Sequence, residues 1–94
     1  METMYDIEGA KLTALELSVL AHVAGEQAGV WEVDDSEIYN IKPQLDHLVL
    51  EGFLERDHDG SSWLNTWRIP TECWSVLGPN VNRINQIVDS IGEA

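Results

Sequence analysis

The chain has 94 residues, enough for one small domain but rarely for two separate cores. With 44% hydrophobic residues and four tryptophans it can build a packed core, which excludes wholesale disorder. Seventeen acidic residues against five basic ones give a net charge of −12, so an approach to the polyanionic backbone of duplex DNA begins with repulsion.

The acidic residues are unevenly distributed along the chain. Residues 1–39 carry nine acids and one base, whereas residues 70–94 carry three acids and one base. Such an acidic excess is typical of adaptation to high salt or of a highly soluble surface. It is also typical of a face that meets a basic partner. The sequence leaves both interpretations open.

The first predicted helix begins at a well-defined cap. Residues 1–11 are polar and predict a tail or a short edge strand. The run Thr13-Ala14-Leu15-Glu16 is a capping box, in which Thr13 and Glu16 each accept a hydrogen bond from the backbone N–H of the other. Leu12 and Leu17 occupy the positions of a hydrophobic staple around this cap. The pattern predicts a helix over 14–24, with a glycine as its stop.

A second group of elements follows a short connection. Residues 30–33 predict a short strand, and the Asp34–Glu37 run predicts the start of a short helix over about 35–40, capped by Asp34 or Ser36. Pro43 suits the first turn of a third helix. That helix has an apolar face with helical spacing and a glycine stop, formed by Leu45, Leu48, Val49 and Gly52.

The remainder predicts a hairpin and a C-terminal helix. Residues 53–56 predict a strand, the Asp57-His58-Asp59-Gly60 run predicts a tight turn, and residues 62–69 predict the return strand. A short helix over 72–77 is expected to end at Gly78-Pro79. Large aliphatic residues with helical spacing then mark a helix over 79–92, namely Val81, Ile84, Ile87, Val88 and Ile91.

For two sets of large apolar residues the sequence allows either burial in the core or contact with a partner. The aliphatic stripe of the C-terminal helix is expected either to pack on its own domain or to form half of a dimer interface. The tryptophans are expected to fill the core, or else one or two of them are exposed on the hairpin as anchors for a protein partner: Trp31, Trp63, Trp67 and Trp74.

This order of elements resembles the winged helix-turn-helix family, with MarR-like and PadR-like regulators the most similar. The resemblance is carried by the motif L-x-x-E-G-F-L-E-R at residues 48–56 and by W-x-x-T-W-R-I at residues 63–69 after an Asp-Gly turn. It implies an α+β fold in one domain over 1–94, in which a three-helix core and a β-wing hairpin cover 12–70. The helix over 79–92 then stands where such regulators place a dimerisation helix.

The resemblance also implies which residues would touch DNA. The third helix would enter the major groove and the hairpin would contact the backbone, so the DNA-binding positions are Lys42, Gln44, His47, Arg56 and Arg68. Gln44 has the chemistry to read adenine, and Lys42 that to meet phosphate or guanine. Pro43 offers no donor, however, and Asp46 would repel the phosphate backbone. The fold therefore predicts DNA binding while the charges disfavour it.

Two functions follow from this conflict. The favoured hypothesis is a small acidic protein that binds a basic protein surface, as phage-type DNA mimics of the anti-CRISPR or anti-restriction kind do. The acids that would make this contact are Glu32, Asp34, Asp35, Glu37, Asp46, Asp57 and Asp59. The alternative is a dimeric winged-helix transcriptional regulator that binds double-stranded DNA.

The sequence has no pattern typical of an enzyme, a metal centre or a membrane protein. His47, His58 and Cys73 lack the spacing that brings metal ligands together, and a single cysteine forms no internal disulfide. We find no catalytic triad and no phosphate-binding loop, so we expect neither catalysis nor a cofactor. Because no apolar span or signal peptide is recognisable, we expect a cytoplasmic protein.

Overall fold

The computed structural model describes residues 3–57 and 64–92, which form an α+β arrangement of helices and two small antiparallel sheets. The elements in chain order are β1 Met4–Ile7, β2 Ala10–Thr13, α1 Ala14–Gly25, β3 Val30–Asp34, α2 Asp35–Ile38, α3 Lys42–Leu50, β4 Glu55–Asp57, β5 Leu64–Arg68 and α4 Trp74–Gly92. Short 3-10 turns precede β3, α3 and α4.

The N-terminal segment is a β-hairpin, where the sequence predicted a tail or a single edge strand. Strands β1 and β2 pair antiparallel, and Glu8 and Gly9 turn between them with positive φ angles. The carboxylate of Asp6 accepts the backbone N–H of Gly9 at 2.8 Å, which closes the turn. Ile7 and Leu12 are fully buried, so this hairpin belongs to the core.

Helix α1 begins at the predicted capping box. The hydroxyl of Thr13 accepts the N–H of Glu16 at 3.1 Å, and Oε1 of Glu16 accepts the N–H of Thr13 at 2.7 Å. Leu12 and Leu17, the predicted staple residues, are both fully buried beside the cap. The start of α1 is therefore confirmed, and its end at Gly25 lies one residue beyond the prediction.

The three-stranded sheet has the order β3-β5-β4, with both pairings antiparallel. The predicted strand over 30–33 is confirmed, and it places Trp31 opposite Trp67. The strand predicted from residue 53 begins only at Glu55, because Phe53 and Leu54 are drawn back onto α3 by N–H bonds to the Leu48 carbonyl. The predicted turn at 57–60 lies largely outside the described residues, as does Trp63.

Helices α2 and α3 follow one another with a single 3-10 turn between them. Asp34 caps α2, since its carboxylate accepts the backbone N–H of Ser36 at 2.9 Å. Pro43 sits in the first turn of α3, where the absence of an N–H leaves no helical bond unmade. Gly52 follows α3 with φ of +86°, the left-handed conformation that a glycine stop adopts.

Helix α4 is longer than the sequence predicted. The expected break at Gly78-Pro79 does not occur, and one helix runs from Trp74 to Gly92 with Pro79 inside it. Proline removes one helical hydrogen bond, but Leu77 and Ile84 on either side of it are buried in the core, and this burial offsets the loss. The prediction of a separate helix over 72–77 was therefore wrong.

The core lies between α1, α3, α4 and the two sheets. Among the described tryptophans, Trp67 is fully buried, Trp31 is half-buried and Trp74 is 40% exposed. The largest fully buried side chains besides Trp67 come from the β1–β2 hairpin, from α1, α2 and α3, and from the connection after α3. None of the helices in residues 3–57 and 64–92 has the length and hydropathy needed to cross a membrane.

Candidate functional site

The strongest polar contact between elements joins α1 to α3. Glu16 is only 5% exposed, and while its Oε1 completes the α1 cap, its Oε2 contacts Nδ1 of His47. The other ring nitrogen, Nε2, lies 3.4 Å from a carboxylate oxygen of Glu51. The imidazole of His47 is thus held between two carboxylates. A side chain held in this way links α3 to α1, and 29% of it remains exposed.

Lys42 at the start of α3 is engaged within its own helix. Its Nζ lies 2.8 Å from Oδ1 of Asp46, one turn later in the helix. The same ammonium is 6.0 Å from the ring centroid of Trp67, and the guanidinium carbon of Arg56 is 5.6 Å from that centroid. Two predicted DNA-binding cations therefore meet at one tryptophan, with an acid beside one of them.

Arg68 is paired across the sheet. Residues Glu55 and Arg68 are direct partners in the β4–β5 register, and Nε of Arg68 donates to Oε2 of Glu55 at 3.1 Å. Both side chains are about half exposed, so the pair lies at the surface. Exposed pairs of this kind add little to stability. The pair nevertheless places the carboxylate of Glu55 next to Arg68, the hairpin residue expected to contact a phosphate.

The amide of Gln44 is partly turned towards the protein interior. Its Oε1 is buried and accepts no hydrogen bond from the described part of the chain. An amide that reads adenine presents both its oxygen and its nitrogen to the base edge. In this structure the oxygen of Gln44 is turned into the protein instead.

The predicted acidic binding residues are exposed, bonded within the chain, or outside the described atoms. Glu32 on β3 and Glu37 on α2 are exposed on consecutive elements, and β3 is an edge strand of its sheet. Asp34 lies between them and is occupied as the α2 cap, where hydrogen bonds from the N–H and hydroxyl of Ser36 lower the pKa of its carboxyl. Asp46 is exposed but pairs with Lys42. The side chains of Asp35 and Asp57, and all of Asp59, lie outside the described atoms.

Most of the predicted dimer stripe packs on its own domain. Ile84 is buried, and Ile87 and Val88 are half-buried against the core. Val81 differs, since 48% of it is exposed. The side chain of Ile91 is not among those described. For Ile84, Ile87 and Val88 the structure supports the alternative in which the stripe serves its own core.

The described residues offer no constellation typical of catalysis. No group of three or more His, Cys, Asp or Glu side chains within residues 3–57 and 64–92 is arranged to hold a metal ion. Cys73 is buried, and this burial raises the pKa of its thiol above the usual value of 9.0. A thiol of raised pKa is a poor nucleophile near neutral pH.

Sequence reasoning found each of these residues but missed their pairings. The capping box identified Glu16, and α3 identified His47, yet nothing in the chain order signals that the two meet across 31 positions. The i, i+4 spacings of Lys42 with Asp46 and of His47 with Glu51 are local signals that the sequence does contain. No family model, curated protein or solved structure matches the chain.

Proposed function

We propose that this chain is a winged-helix domain. The order α1, β3, α2, α3, β4, β5 is the order of such domains, and the sheet order β3-β5-β4 is the one their hairpin wing forms with the strand after the first helix. In this arrangement α3 takes the place of the recognition helix. The β1–β2 hairpin and α4 are then additions at either end.

We further propose that it binds a protein and not DNA. The observation that carries this proposal is that three side chains at the expected DNA-reading positions are each paired with a carboxylate of the same chain. Lys42 is bonded to Asp46, His47 to Glu16, and Arg68 to Glu55. Affinity for duplex DNA comes largely from cations that displace condensed counterions at phosphates. Lys42 and Arg68 would each bring a carboxylate to the phosphate backbone, which cancels that gain.

A basic protein surface suits the exposed residues of this domain better. Glu32 and Glu37 provide negative charge on β3 and α2, and Tyr39 immediately after α2 is 81% exposed. Leu50 at the end of α3 is 80% exposed. Exposed carboxylates speed association with a basic surface, while exposed apolar side chains supply contact area. This combination supports an inhibitor or regulator that occupies the nucleic-acid-binding surface of another protein.

The second candidate is a winged-helix regulator that binds DNA as a dimer. It is favoured by the topology and by the position of Lys42 and Arg56, which both lie within about 6 Å of the Trp67 ring centroid. It requires that the pair of Lys42 with Asp46 opens on binding. The two candidates predict opposite responses to DNA at low ionic strength.

The test is a titration against duplex DNA at low salt, where non-specific affinity is greatest. We expect no binding by the wild-type chain. Salt-sensitive binding that is lost in Lys42→Ala and Arg68→Ala, but kept in the control Lys11→Ala on the β1–β2 hairpin, would refute the proposal in favour of the regulator. A positive test is competition, in which the chain displaces duplex DNA from a basic DNA-binding protein and a Glu32→Lys/Glu37→Lys variant does not.

A further inference from the structure

Strand β3 has one open edge. It is an outer strand of the sheet β3-β5-β4, and no strand in residues 3–57 and 64–92 pairs with its other side. Val30 and Glu32 are the exposed residues of this strand, and Val30 is 37% exposed. The open edge of a strand presents unpaired backbone N–H and C=O groups, so it is a template for another extended chain.

The pairing of β3 with β5 determines which of its backbone groups point outward. The N–H of Ile69 donates to the carbonyl of Gly29 at 3.1 Å, and these two residues lie opposite each other when the β3–β5 register is extended by one step. Hydrogen-bonded and non-hydrogen-bonded pairs alternate along an antiparallel ladder. Counting from Gly29, every second residue bonds to β5, while Val30, Glu32 and Asp34 turn their N–H and C=O groups to the open edge.

Four of these outward groups can bond an incoming strand. The N–H of Val30 already donates to the Gln27 carbonyl in the preceding 3-10 turn, so Val30 offers only its C=O. Glu32 offers both its N–H and its C=O, and Asp34 offers its N–H. Because these groups recur at every second residue of a five-residue strand, they match the spacing of an extended chain.

The charge of the edge selects which chain can add there. An antiparallel strand places one residue directly opposite Glu32, where opposite charges attract and like charges repel. The register in which β3 of a second copy pairs along its full length would place Glu32 opposite Glu32, in a chain whose net charge is −12. A lysine or arginine opposite Glu32 forms an ion pair instead, and an apolar residue suits the position opposite Val30.

We propose that β3 receives an extended segment of a basic partner protein as a fourth strand of its sheet, with Lys or Arg opposite Glu32 and an apolar residue opposite Val30. This inference rests on the proposed function, since it specifies how the basic protein is held. Backbone hydrogen bonds along the edge supply affinity, and the side chains at alternate positions supply selectivity. Glu37 on α2, the helix that directly follows β3, adds further exposed negative charge.

The test is the binding of a terminally blocked, fluorescein-labelled peptide, Thr-Lys-Val-Lys-Val-Val-Thr, followed by fluorescence anisotropy at low salt. One N-methylated form carries its methyl groups on the second lysine and the last valine, whose N–H groups would face β3. Its isomer carries them on the other two valines, whose N–H groups would face solvent. We expect the first form to bind at least about tenfold more weakly than its isomer, although the two have the same charge. A peptide with glutamate in place of both lysines should not bind measurably.

Two substitutions separate the backbone edge from its charge. Glu32→Gln removes the charge alone, whereas Glu32→Pro also removes the outward N–H, at a place where an edge strand tolerates proline. We expect the peptide affinity to fall from wild type to Glu32→Gln and again to Glu32→Pro, with unchanged circular dichroism spectra. Glu8→Gln at the β1–β2 turn is the matched loss of an exposed charge and should change the affinity little.

Hydrogen exchange measured by NMR reports the strand directly, because the amides of Glu32 and Asp34 should exchange more slowly in the peptide complex. Equal binding of the two N-methylated isomers, unchanged exchange at these amides, or no binding of the unmethylated peptide at millimolar concentration overturns the strand addition. The proposed function still stands in that case if the chain displaces duplex DNA from a basic DNA-binding protein. A chain that takes up the peptide at β3 but fails to displace the DNA contradicts the proposed function instead.

Discussion

Replacing Glu16 tests the contact that positions α3. In Glu16→Ala the N–H of Thr13 loses its acceptor and His47 loses the carboxylate that contacts its Nδ1. Glu16→Gln is the milder change, because the amide oxygen still accepts the N–H of Thr13 while the negative charge is lost. We expect both variants to lower the free energy of unfolding, with alanine the more damaging.

The magnitude follows from the two bonds. A lost capping bond costs about 1 kcal/mol. Loss of a charge-assisted hydrogen bond costs about 1.5–3 kcal/mol of stability. We use the lower half of this range because the His47 side chain is 29% exposed. Glu16→Ala should therefore cost about 2–4 kcal/mol and Glu16→Gln about half as much. A domain of this size is stable by roughly 5–14 kcal/mol, so the alanine variant removes a large share of the total.

The assay is urea unfolding followed by tryptophan fluorescence, for which the buried Trp67 is a suitable probe. Glu32→Gln, on the exposed face of β3, is the matched control and should change stability by less than about 0.5 kcal/mol. A double-mutant cycle with His47→Gln should give a coupling energy of about 1–2 kcal/mol. If Glu16→Ala unfolds at the same urea concentration as the control, the contact does not stabilise the fold.

Two further predictions concern the backbone and one carboxylate. A Cβ added at Gly29 (φ +67°) would lie 2.5 Å from the Trp74 ring, so Gly29→Ala should cost about 1–3 kcal/mol more than Gly52→Ala, where φ is +86° and the space is open. The hydrogen bond from Lys11, with that from the Gly9 N–H, lowers the pKa of Asp6 below its usual 3.8. The stability that Asp6 contributes is therefore fully present above pH 3.8 and is lost as the pH falls through the lowered pKa.

Each of these predictions has its own readout. Both Gly29→Ala and Gly52→Ala put an alanine at positive φ, but only the first clashes with Trp74. If the two variants unfold at the same urea midpoint, the Trp74 ring moves aside without cost. A carboxyl-detected NMR titration measures the pKa of Asp6, and Lys11→Met should raise it towards the usual value. An Asp6 that titrates at or above 3.8 in the wild type would contradict the hydrogen bonds at the β1–β2 turn.

Local patterns predicted α1, β3 and α3, whereas the β1–β2 hairpin, the continuous α4 and the pairings between distant residues could not be predicted from them. The cap of α1 was predictable because Thr13 and Glu16 are three residues apart, and the stop of α3 because Gly52 must take positive φ. The continuous α4 was not predictable, because the contacts that keep it helical through Pro79 come from other elements of the fold. For the same reason the sequence identified His47 as a DNA-reading candidate and could not show the carboxylate beneath it.

These pairings bear on why the chain is so acidic. Solubility or adaptation to salt calls for carboxylates in water, yet Glu16 is almost completely buried, where desolvation makes a charge costly unless it is bonded. Asp46 stands one turn after Lys42, and Glu55 stands directly across the sheet from Arg68. Three acids thus contact three of the side chains that the sequence offered for DNA binding. General acidity of the surface does not by itself account for the burial of Glu16, whereas its bonds to the α1 cap and to His47 do.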